Sequence, residues 1–177
     1  MARRDLLKFG LAASASALVP AVPARRCALV LLWMDGGPSA WDTWVPDTGG
    51  QVRSIATRST GIRYCRHMPE LAELSDRIAV IANVSVPEIH HRRARFFART
   101  GVQLPPTLFP DDQPRAVPAA TFTEQCRTAI RRIEQGAQYT EIVLPGWDTH
   151  TDNAPRVRRL LEQMDHAMAR LLRDLEE

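Results

Sequence analysis

The chain has 177 residues, of which 45% are hydrophobic and 24% charged. That is the balance of a soluble globular protein and excludes a fibrous or disordered one, and the length builds one domain with a real core rather than two. The net charge of +3 includes 22 arginines and one lysine, but no basic stripe with interleaved aromatics, so nucleic acid is not an expected partner.

Residues 1–24 read MARRDLLKFGLAASASALVPAVPA. A charged start at Arg3, Arg4 and Lys8, an Ala/Leu-rich middle and small residues at Val19-Pro20-Ala21 and Val22-Pro23-Ala24 are the parts of a cleavable export signal. The apolar part is too short to span a bilayer stably. The paired arginines resemble a twin-arginine signal, although Ala2 and Leu6 stand where Ser or Thr and Phe are commonest. Cleavage would remove three of the 23 basic and one of the 20 acidic residues, leaving a net charge of +1. The expected product is one α/β domain over residues 25–177, exported to the periplasm. Cys27, Cys65 and Cys126 are widely spaced without a CxxC pair, so neither a zinc ribbon nor a disulfide framework is expected.

Cys27-Ala-Leu-Val-Leu-Leu-Trp33 predicts a strand buried on both faces, ending at Asp35-Gly36-Gly37-Pro38-Ser39. Asp42 and Thr43 start a short helix, and residues 43–63 read as loop. Met68–Leu74 has the Pro-then-acid start of a short helix, and Arg77–Ala82 reads as a second buried strand. Strand, helix, strand is the pattern of a parallel α/β sheet. HHRRARFFART at 90–100 predicts a helix closed by Gly101, and the proline-rich segment 102–120 a linker. A helix at 121–135 leads to a third strand at Glu141–Leu144. Apolar residues from Val157 to Leu175 then recur at three- and four-residue spacing, which makes this the most secure helix of the chain.

Chemistry concentrates at the carboxyl ends of the first and third strands, where open α/β sheets place their ligands. Asp35 follows one and Asp148-Thr149-His150 the other. Asp and His coordinate divalent ions such as zinc or manganese. Spacing alone leaves two readings of Asp148 and His150 open: metal ligands, or an aspartate bonded to loop amides ahead of a helix capped by Asp152 or Asn153, with Pro155 in its first turn. Gly36-Gly37 admits close approach by another backbone or an anion. Ser39 is a candidate nucleophile, with a turn serine the favoured reading. Consecutive His90 and His91 cannot share one helix face.

The twin-arginine leader, LLWMDGGPSAWDTW, the segment Ser85–Gly101 with its terminal Thr-Gly, RRIEQG and GWDTH before a long helix together resemble the exported bacterial family called domain of unknown function 1501. The resemblance covers roughly residues 1–101 and 121–177, and GGPSxxDT and GWDTH are its specific stretches. That family is similar to the alkaline phosphatase and sulfatase superfamily. The resemblance therefore implies a partial alkaline-phosphatase-like core, a mostly parallel sheet flanked by helices, with Asp35, Asp148 and His150 as metal ligands and a small phosphate or sulfate ester as substrate. HHRRARFFARTG looks like the sulfatase signature, which places His91 at the nucleophile position and Arg95 at the arginine position. A histidine cannot become formylglycine, which speaks against true sulfatase activity.

The family's additional sequence between the Thr-Gly and GWDTH segments, and its Glu-Phe-Gly-Arg stretch and Asp-His pair beyond the final helix, have no counterpart here. The resemblance thus implies a chain shortened in the middle and truncated at its C-terminus, with impaired hydrolase chemistry. A non-catalytic periplasmic binding or scaffold protein, and an unstable gene fragment, are the alternatives.

Overall fold

The computed structural model describes residues 27–46, 53–108 and 120–176. The leader at 1–24 and most of the proline-rich segment lie outside them. Among the described residues no helix is long and apolar enough to cross a membrane.

Two strands form the sheet that carries the site. β1 (Leu29–Asp35) and β4 (Tyr139–Pro145) run parallel, from Leu29 opposite Tyr139 to Asp35 opposite Pro145. Side chains alternate across a strand, so even-numbered Val30, Leu32, Met34, Ile142 and Leu144 share one face, and all five join the main core. Odd-numbered Leu31, Trp33 and Glu141 take the other. β1 is therefore half-buried along its length and not enclosed on both faces as its composition predicts. The far edge of β4 is closed at one point by a side chain: the Gln125 amide accepts from the Val143 N–H at 2.9 Å and donates to the Val143 carbonyl at 3.0 Å. It satisfies the two backbone groups that a neighbouring strand would otherwise bond.

A second, antiparallel pair joins β2 (Ser54–Ala56) to β3 (Arg63–Cys65), inside the stretch read from sequence as loop. It is docked by the Cys65 N–H on the Thr43 carbonyl at 2.9 Å. Asp42 and Thr43 lie in turns rather than a helix; the Thr43 hydroxyl, buried, donates to the Ser39 carbonyl at 2.8 Å.

The strand expected at Arg77–Ala82 does not form. Ser75–Arg77 is a 3₁₀ turn, Ile78 and Val80 pack on the core, and Ile81 is 74% exposed. A short apolar run becomes a strand only beside a partner edge, and no strand among the described residues pairs with this run. The parallel pair is thus β1 with β4, joined through a long crossover.

Four α-helices lie among the described residues: α1 (Pro69–Glu73), α2 (His91–Thr100), α3 (Phe122–Glu134) and α4 (Asn153–Asp174). The structure is thus α/β with a small parallel sheet. α3 opens on a capping box, Thr121 with Glu124. α2 ends at Gly101 in the left-handed region, φ 71°, as its sequence predicts. α4 is the spine of the core: Val157, Leu161, Met164 and Leu171 are buried, and the helix packs against α1 and α3.

A cleft at the carboxyl ends of the parallel strands

Because β1 and β4 are parallel and in register, Asp35 and the Gly146-Trp147-Asp148 turn leave the sheet side by side. The Trp147 N–H donates to the Asp35 carbonyl at 3.1 Å, extending the pairing one step past the strands. Gly36 follows with φ 113°, pressed so close to the second turn that a Cβ there would overlap the backbone nitrogen of Asp148. At Gly36 the close approach is by another backbone, whereas a Cβ on Gly37 would meet only the His91 ring, 3.5 Å away.

α2 closes the cleft from the odd-numbered face of the sheet. Its N-cap, His90, makes no side-chain cap bond. Glu88 does that work, accepting from the His90 N–H at 2.8 Å and from the Arg93 guanidinium at 2.7 and 3.1 Å. Farther along the helix, Arg99 pairs with Glu141 and lies over the Trp33 ring, 5.5 Å from its centroid. These anchors aim His91 and Arg95 at the strand ends. Arg95 is 6% exposed, and its Nη1 lies 3.4 Å from Asp35 Oδ1.

The resulting cleft, of about 240 Å³, is lined by Asp35, Gly36, His91, Arg92, Arg95, Gly146 and Asp148. The two oxygens of Asp148 face two imidazoles: His150 Nε2 at 2.7 Å and His91 Nε2 at 3.7 Å. No backbone amide among the described residues bonds the Asp148 side chain. Asp152 is the N-cap of α4 by position, in the left-handed region, but its side chain makes no cap bond.

Of the residues singled out in the sequence, Asp35, His91 and Asp148 share the cleft, and His150 reaches it through Asp148 from an exposed position. Ser39 stands apart, outside the lining, its hydroxyl accepting from the Asp42 N–H at 3.3 Å as a turn serine does. Arg92 and Gly146 belong to the lining and were not singled out. The signal for Gly146 was its place directly after an apolar strand; one arginine among 22 gave none for Arg92.

Two carboxylates and two imidazoles are donors of the types that suit zinc or manganese. In the arrangement present, Asp35 is engaged by Arg95 and Asp148 by His150, and no three His, Cys, Asp or Glu groups among the described residues are placed to hold one ion together. The donor chemistry fits such an ion; a three-point cage is not assembled.

Fold and cleft define an α/β protein with an acidic and histidine-bearing site at the ends of its parallel strands. The chain belongs to the family described as Protein of unknown function (DUF1501), whose model matches residues 26–111 and 107–177. No curated protein and no solved structure matches it.

Proposed function

We propose that the cleft is the remnant or core of a metal-assisted hydrolase site for phosphate or sulfate esters, carried on a protein exported to the periplasm by the twin-arginine route. The observation that supports this reading is the convergence of Asp35 and Asp148 at adjacent parallel strand ends, with His150 bonded to one carboxylate and the buried Arg95 set beside the other. Asp35, Asp148 and His150 are the ligands. A divalent ion there would polarise the ester and offset its charge. Arg95 orients Asp35, and His91, opposite Asp148, is placed to exchange a proton with a bound ester.

The test is thermal unfolding of the full chain with zinc or manganese added and then chelated. A ligand that binds only the folded state raises the melting temperature. Stabilisation that disappears in the double variant Asp148→Ala/His150→Ala supports the reading; an equal shift in that variant refutes it. A cooperative melt indifferent to both metal and chelator favours instead the binding or scaffold role.

A further inference from the structure

A larger cavity lies elsewhere. About 530 Å³ opens between the β2–β3 pair and the start of α4, sharing no lining residue with the strand-end cleft. Three arginines line it, Arg53, Arg66 and Arg158, together with His67.

Their placement follows from the strand register. Ser54 pairs with Cys65, so Arg53 and Arg66 flank the ladder opposite one another, joined by the Arg66 N–H on the Arg53 carbonyl at 2.9 Å. Like charges set directly across a strand pair repel. Neither guanidinium has a carboxylate partner among the described residues. Asp42 is the acidic residue of the lining and pairs with neither. Arg158 reaches in from α4 and is bonded through Nε to Glu162 at 2.7 Å, leaving its terminal nitrogens.

His67 senses the same field. Its pKa is pushed down, first by burial and then by the charges of Arg66 and Arg158. Its Nε2 already accepts from Arg66 Nε at 3.3 Å. The cavity wall also includes Asn153 and Ala154, the first two residues of a 22-residue helix whose N-cap side chain makes no cap bond. Val157, Leu161 and Cys65 belong to the same lining but are buried, 7%, 1% and 1% exposed.

We infer that this cavity binds a small organic phosphate: Arg53, Arg66 and Arg158 hold the dianionic phosphate, and the remaining volume takes its organic body. A phosphate monoester offers three acceptor oxygens and close to two charges at neutral pH, which suits convergent guanidinium groups better than a single carboxylate does. The volume lies in the range of small-molecule pockets and exceeds what inorganic phosphate needs. The inference is independent of the hydrolase reading.

Titration calorimetry of the full chain at pH 8 tests it, using benzylphosphonate, whose carbon–phosphorus bond is not an ester and survives a hydrolase. Benzylsulfonate supplies the same shape with one charge, and inorganic phosphate the charge without the body. Saturable binding of benzylphosphonate is expected, at least about tenfold tighter than either comparison compound, since it carries one more charge than the sulfonate and fills more of the cavity than inorganic phosphate. Arg66→Gln weakens it by about tenfold or more, because it removes a charged hydrogen-bond donor. Ala154→Asp does likewise, and because an acid in the first turn suits a helix, that variant stays folded. Asp148→Ala, in the other cleft, leaves binding intact. No saturable binding, binding that persists in both cavity variants, equal affinity for inorganic phosphate, or loss on Asp148→Ala each overturns the assignment.

Discussion

Gly36 and Asp148 touch through their backbones: a Cβ on Gly36 would overlap the Asp148 nitrogen and lie 2.9 Å from the Trp147 carbonyl carbon. The glycine is therefore what allows the two strand-end turns to lie together. Gly36→Ala should separate them and destabilise the fold by about 2–3 kcal/mol, combining backbone strain at φ 113° with the clash. Gly37→Ala is the control. Its φ of 74° carries strain, but its nearest neighbour would be His91 Cε1 at 3.5 Å, an ordinary contact. Urea unfolding should rank Gly36→Ala well below Gly37→Ala; equal stabilities would mean the turns separate without cost.

Asp165 joins α4 to α1. Pro69 opens α1 after an N-cap, Met68, that cannot cap, and the buried Asp165 carboxylate instead accepts from the Leu71 N–H at 2.7 Å and the Glu70 N–H at 3.0 Å. Asp165→Ala leaves a buried amide unpaired and should cost about 2–3 kcal/mol. Burial raises the Asp165 pKa, against the opposing effect of the two amides. The folded state thus holds the proton more tightly than the unfolded one, so this group's contribution is greatest in acid and declines as pH rises through its raised pKa. The stability difference between the parent and Asp165→Asn should shift in favour of the parent as pH falls through the carboxylate range. A difference that moves the other way would contradict the assigned direction.

What could be read from the chain followed from how local each signal is. The spacing from Val157 to Leu171 specifies one buried helix face without help from the rest of the molecule, and Gly101 ends α2 by its own conformational freedom. Asp35 and Asp148 were legible because each stands at the end of an apolar run, Asp35 as the last residue of β1 and Asp148 three residues past β4. The run at 77–82 misled because strand formation needs a second edge, which no local pattern encodes. β2 and β3 escaped notice because three residues each are too few for a period, and the pair is held by contacts with Thr43 far along the chain. His91 and Arg95 came from the sulfatase-like wording of HHRRARFFARTG, whereas the Arg53–Arg66 juxtaposition depends on that unseen strand register.

Glu88 anchors the start of α2 and so positions His91 and Arg95. The Arg93 guanidinium, followed by the His90 N–H, pulls its pKa down to about 2. Its contribution to stability is therefore present above the ordinary glutamate range, near 4.5, and is lost as pH falls toward 2. Glu88→Gln should melt lower than the parent at neutral pH by a modest margin, with the two curves converging in acid. A gap that stays constant from pH 7 to pH 3 would show that the carboxylate's charge is not what holds the helix start.

Tyr64 is fully buried, edge-on to Trp44 with ring centroids 5.2 Å apart, and its hydroxyl has no hydrogen-bond partner among the described residues. Burial pushes its pKa upward, as expected for a phenol removed from water without compensation. A buried hydroxyl without a partner costs about 1–3 kcal/mol in proteins, while the ring itself supplies packing. Tyr64→Phe keeps the ring and its contact with Trp44 and removes the stranded polar atom, so it should raise stability by about 1 kcal/mol. Tyr64→Ala, which empties the site, should lower it by about 3–5 kcal/mol, the cost of deleting a buried aromatic. Denaturant midpoints of the two variants give opposite signs on this account; destabilisation by Tyr64→Phe would mean the hydroxyl is bonded after all.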